Sequence, residues 1–219
     1  MFADRIEAAE RLAEALRRYQ DHHPLILAIP RGAVPMGAVL ARRLRGDLDV
    51  VMVRKLRAPG SPEFAVGAID EVGWTYVAPH ALDVGATSGY LEEETHSQLL
   101  EIRRRRALYT PGRPAMDAAG RTVIVVDDGL ATGATMIAAL HAVRERRPAR
   151  LVCAVPVASP DSLELVRPYA DEVVCLEAPG GFFAVGQFYL SFPQVEDAEV
   201  VALLSKGGGH AARRDVDAR

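Results

Sequence analysis

Cysteine is nearly absent, with two residues in a chain of 219. Cys153 and Cys175 each sit inside an apolar run, so neither a disulfide framework nor a zinc-ligand spacing is suggested, and both are expected as buried thiols in a reducing compartment. No charge sign dominates either: 26 Lys+Arg against 29 Asp+Glu leave a formal charge of −3. A chain without basic excess is not expected to bind nucleic acid over a broad face, because that binding depends on neutralising phosphates. No apolar run approaches the ~18 residues needed to cross a bilayer. Met1 is followed by Phe2, Asp4, Arg5 and Glu7, which is not a secretory leader, so no membrane partner is expected and the cytoplasm is the expected location. There is one tryptophan, Trp74, and the six histidines form no constellation in the sequence.

What is present is core material: 49% of the residues are apolar, enough for one globular domain, expected over residues 1–206 with a flexible tail at 207–219. Helical spacing of Ile6, Ala9, Leu12, Ala13 and Leu16 predicts a first helix capped by Asp4. Short apolar or β-branched runs at Leu25–Ile29, Asp49–Val53, Thr122–Val126, Leu151–Val157 and Glu172–Leu176 predict strands. Helices fit Val34–Leu44, Ser88–Leu108, Gly133–Arg146, Pro160–Tyr169 and a last stretch from after Val195 to Ser205. Arg54, Lys55 and Arg57 lead into Ala58–Pro62, which reads as an irregular loop on a basic stem, and Arg103–Arg106 read as a solvated helix end. Strands alternating with helices, and apolar without interruption, predict an α/β fold: a mostly parallel twisted sheet with helices on both faces.

The chemistry concentrates at Val123–Thr135, where an apolar strand runs into Asp127 and Asp128, then a small-residue turn, then a helix. A helix start offers unpaired N–H groups and the positive end of the helix dipole, so Ala131, Thr132, Gly133, Ala134 and Thr135 read as a phosphate cradle. Two carboxylates beside it are poor ligands for the same anion. They suit neutral hydroxyls, such as a sugar diol, or a divalent cation.

This segment resembles the signature of the type I phosphoribosyltransferases for 5-phosphoribosyl 1-diphosphate (PRPP): an apolar strand, two acids and a loop ending in Thr-Gly-x-Thr. The resemblance implies the fold of that family with a small hood, and it implies that Asp127 and Asp128 bind the ribose hydroxyls while Ala131 to Thr135 bind the 5-phosphate. Ile29-Pro30-Arg31-Gly32-Ala33 stands where the family places its pyrophosphate loop, often built around a cis peptide. Arg54-Lys55 and the segment to Phe64 resemble the basic stem and closing loop, so Arg31 and Lys55 would act with Asp127 and Asp128 in catalysis. The resemblance implies transfer of 5-phosphoribosyl from PRPP to a nitrogen nucleophile on a small-molecule acceptor, a nucleobase-like heterocycle, with release of pyrophosphate, Mg²⁺ as cofactor and a homodimer; the alternative is a PRPP-binding regulator that lacks transferase activity.

The 6-oxopurine branch carries an acid where this chain has Ala131, which argues against hypoxanthine or guanine as acceptor. Val53-Arg54-Lys55-Leu56, Pro62 to Ile69 and Val155 to Pro160 look most like a subgroup of bacterial members whose acceptor is unassigned. Five aromatics crowd into 182–192, and Phe182 and Phe183 are the candidates to stack on a planar acceptor.

Overall fold

The computed structural model describes residues 1–207, so of the tail expected at 207–219 only Gly207, the end of the last helix, is described and the rest lies outside the described residues. In chain order the first half holds α1 (Arg5–Ala15), β1 (Leu25–Ala28), α2 (Val34–Leu44), β2 (Asp47–Val50), β3 (Val53–Ala58), β4 (Ser61–Asp70), β5 (Thr75–Val77) and α3 (Ser88–Tyr109). The second half holds β6 (Thr122–Val126), α4 (Ala134–Arg144), β7 (Arg150–Val157), α5 (Pro160–Val166), β8 (Glu172–Glu177) and α6 (Asp197–Gly207). Asp4 caps α1 as its position predicts, accepting hydrogen bonds from the amides of Ile6 and Glu7.

Five parallel strands form the main sheet in the order β2-β1-β6-β7-β8. Alternate residues serve two cores. Ile26, Ala28, Ile124 and Val126 join the core built with α1, α2 and α6, while Leu25, Leu27, Val123 and Val125 join the core built with α4. Burial on both faces is why these strands are apolar at every position. From β1 the chain first winds outward to β2 and later returns to add β6 on the other side of β1. The carboxyl ends of β1 and β6 therefore flank a topological switch point, where open α/β sheets place their ligands.

The segment after β2 corrects the sequence reading. The run Asp49–Val53 is not one strand: β2 ends at Val50, and Val53 begins a separate antiparallel sheet, β3-β4-β5. The supposed loop at Ala58–Pro62 is a tight reversal with Gly60 at φ 70°, joining two strands. Pairing of β3 with β4 shifts register around Arg57, which breaks the period-2 pattern that would have marked the strand. This small sheet docks on α4, where Trp74 stacks on His141 with ring centroids 3.7 Å apart, a pairing the sequence reading did not find.

The third helix is capped by Thr87, whose side chain accepts from the Tyr90 amide. Its C-terminal arginines are not a uniformly solvated end. Arg106 is half-buried and clamped by Glu71 at 2.8 Å, and Arg105 turns inward, leaving Arg103 and Arg104 exposed.

Candidate active site

At the switch point lies a cleft of about 420 Å³ lined by the ends of β1 and β6, the α4 start and one wall of the small sheet. Asp127 and Asp128 follow β6 directly and form its floor, because the strand register with β1 ends at Val126. The Asp128 amide donates to Oδ1 of Asp127 at 2.9 Å. Asp128 is held from behind by Arg5 of α1, whose Nε and Nη2 lie 3.0 and 2.9 Å from Oδ2. Arg5 is itself fixed: Nη1 donates to the Pro193 carbonyl at 2.7 Å, and the guanidinium lies over the Phe192 ring at 3.7 Å. The Tyr189 hydroxyl donates to the Asp128 carbonyl at 2.7 Å.

Burial pushes both carboxyls up. Asp127 is raised furthest, by burial first and then by the negative charge of Asp128, with Lys55 and Arg5 opposing. Asp128 is also raised by burial, and the Arg5 ion pair offsets part of that shift.

The turn and helix start expected at Ala131–Thr135 are present, with one refinement. The helix begins at Ala134, and Gly133 precedes it at φ 76°, a conformation L side chains rarely adopt. Ala131, Thr132, Gly133 and Thr135 line the cleft, whereas Ala134 is buried behind it. The cradle is braced through the Ala131 carbonyl, which accepts from Ser162 Oγ at 2.7 Å. Opposite, the peptide bond between Pro30 and Arg31 is cis, and Gly32 packs so closely on Asp128 that a Cβ would stand 2.1 Å from its Oδ2.

The side chains named from sequence divide into two groups. Lys55, Arg54 and Arg57 of β3 line the cleft. Arg31 does not, since its guanidinium lies 3.6 Å from Asp197 and 3.8 Å from Glu196 at the start of α6. Phe182 packs on Phe188 at 4.9 Å and Phe183 is 89% exposed; neither lines the cleft, but Val185, two residues on, does. Tyr189 and Phe192, from the same cluster, back the carboxylate floor through the contacts given above. Sequence reasoning missed the contacts of Arg5, Tyr189 and Val185, whose partners lie far off in the chain, and read Arg105 only as part of a solvated helix end.

Among the described residues no group of three or more His, Cys, Asp or Glu side chains could hold a metal ion. Two adjacent carboxylates do suit Mg²⁺ that arrives with phosphate ligands of its own, since that ion takes one or two carboxylates and keeps waters and substrate oxygens for the rest.

Residues 3–192 match the family model described as the phosphoribosyl transferase domain. The chain is 47% identical to TT1426 from Thermus thermophilus, whose crystal structure superposes with a TM-score of 0.79 and covers 94% of this chain and 99% of that one. It is 40% identical over 211 residues to "Putative phosphoribosyl transferase Rv0571c" and to its counterpart MT0597, from two strains of Mycobacterium tuberculosis. That match takes in 94% of this chain and 47% of the relative, so the chain spans about half the length of the curated relatives it matches. Family model, relatives and site geometry agree: the chain belongs to the phosphoribosyl transferase domain family.

Proposed function

We propose that this chain transfers a 5-phosphoribosyl group from PRPP to a nitrogen nucleophile, with release of pyrophosphate. One observation carries the reading: a single cleft brings together the α4 start with Thr132 and Thr135, the Asp127 and Asp128 pair, and a basic wall of Arg54, Lys55 and Arg57. Those three surfaces match a phosphate, a diol and a diphosphate. Thr132, Gly133 and Thr135 hold the 5-phosphate, and the two carboxylates accept hydrogen bonds from the ribose hydroxyls.

Breaking the anomeric bond builds positive charge on the ribose and negative charge on the leaving diphosphate. Lys55 and Arg57 stabilise that negative charge, and the acidic floor of Asp127 and Asp128 faces the positive one. Bound Mg²⁺ would supply further neutralisation of the diphosphate. The backbone at Pro30 and Gly32 faces the leaving group, whereas Arg31 would reach it only by leaving Asp197. The acceptor enters beside Val185, with Phe182 and Phe183 on the flanking segment. The absence of an acid at Ala131 disfavours 6-oxopurines, so a different nitrogenous heterocycle is the acceptor class. The enzyme works as a homodimer.

The test is pyrophosphate release from PRPP and Mg²⁺ across a panel of nitrogen heterocycles and ammonia. Release with at least one acceptor, lost in Asp128→Asn, is expected. PRPP binding without release on any acceptor contradicts the transferase reading.

A further inference from the structure

The third helix contributes one residue to the cleft among those described, Arg105. Its side chain is 22% exposed, and its Nε donates to Glu101 Oε1 at 2.7 Å. That bond uses Nε and leaves the terminal nitrogens, the planar fork that can grip two phosphate oxygens at once. Glu101 is engaged by Arg104 as well, at 2.7 Å, and by Arg54 at 3.9 Å, so the carboxylate is shared among three cations.

The helix is fastened to the basic wall rather than lying loosely beside it. The Arg54 Nε donates to Gln98 Oε1, the Arg57 amide donates to Glu94 Oε1 at 3.2 Å, and the Tyr90 hydroxyl donates to the Arg57 carbonyl at 3.0 Å. Lys55 and Arg57 point from β3 into the same cleft that Arg105 enters from α3. Among the described residues, Glu94 and Glu101 of the third helix contact this group, while Asp127 and Asp128 share the cleft with it from the floor. Crowding of like charge is felt within the group: Arg54 is lowered by burial first, then by the charge of Arg105. A wall of four cations held at fixed spacing, apart from the acids of the floor, suits a polyanion.

We infer that Arg105 is a direct ligand of the substrate's diphosphate, so that the diphosphate site is built from α3 as well as from β3 and the cradle loops. The inference rests on the PRPP reading given above. In particular, it assigns Glu101 the role of orienting the Arg105 fork.

Calorimetry on Arg105→Gln, with Arg105→Lys and Arg104→Gln alongside, tests it using three probes: PRPP with Mg²⁺, pyrophosphate with Mg²⁺, and ribose 5-phosphate. Arg104 bonds the same Glu101 but is exposed and does not line the cleft. Expected for Arg105→Gln is a Kd raised about tenfold or more for PRPP and pyrophosphate, with ribose 5-phosphate within about twofold of the parent. Arg105→Lys should recover part of the loss, and Arg104→Gln should match the parent throughout. Unchanged PRPP and pyrophosphate affinity in Arg105→Gln overturns the inference while leaving the PRPP reading intact, as does equal weakening of all three probes. Failure of the parent protein to bind any probe overturns the PRPP reading itself. Thermal melting of Arg105→Gln within a few degrees of the parent shows that a loss of affinity is not a loss of fold.

Discussion

Asp128 is reached by Arg5 across 123 positions of sequence, and the contact explains how two adjacent buried carboxylates coexist. Without a counter-charge such a pair would hold a proton at neutral pH, and a neutral acid is a weaker acceptor for sugar hydroxyls. Asp127 lacks a comparable partner and is raised further, by burial and by Asp128. A carboxyl that titrates higher in the fold than in the unfolded chain stabilises the fold below its unfolded pKa, and that stabilisation is lost as pH rises through the folded value. Above the unfolded carboxyl range the buried Asp127 is therefore a cost to the fold. Asp127→Asn keeps the Oδ1 acceptor for the Asp128 amide and removes the charge. Its melting temperature is expected to exceed the parent's at pH 7, with the gap closing below about pH 4, while PRPP affinity falls about tenfold or more. A variant that melts lower than the parent at pH 7 contradicts this account of the pair. Asp127, Thr132 and Gly133 were legible in the sequence because a strand, a turn and a helix start are local patterns. Arg5 and Tyr189 were not, since their partner is known only once the chain is folded.

Strands β1, β6 and β7 announced themselves by unbroken apolar runs, because helices cover both faces of the main sheet. The β3-β4 hairpin did not. Charged Arg54, Lys55 and Arg57 interrupt its apolar pattern, its register shifts at Arg57, and its free edge is satisfied by side chains of α3 instead of another strand. A closing loop expected from sequence is in this structure a pair of strands strapped to a helix. The strap can be cut at Glu94, which accepts from both Gln98 and the Arg57 amide. In Glu94→Ala the amides near the hairpin turn at Pro59-Gly60 are expected to exchange with deuterium about fivefold faster or more, for the loss of about 1 kcal/mol of hydrogen bonding. Exchange in β6 should not change. Equal acceleration in both, or none in the hairpin, would show that α3 does not secure it. The aromatic cluster at 182–192 was visible as composition, but its role was not: Tyr189 and Phe192 face the protein and support Asp128 from behind.

Across the whole molecule the near balance of charge conceals a strong local separation. Basic side chains of β3 and α3 stand on one wall of the cleft and two acids lie on its floor, at the point where the winding of the parallel sheet reverses. The fold class was legible because that winding is written in alternating apolar strands and helices, and the position of the site followed from the motif at the end of β6. The place of Val185 in the cleft was not legible, since it comes from a segment with no regular pattern. The central claim is that this cleft recognises PRPP through the carboxylate floor and the α4 cradle together. Calorimetric titration of PRPP with Mg²⁺ into the parent protein, Asp128→Asn and Thr132→Ala tests it most directly. Saturable one-site binding to the parent, weakened about tenfold or more in each variant, is the predicted result, and affinity unchanged in both variants would contradict the assignment of the site.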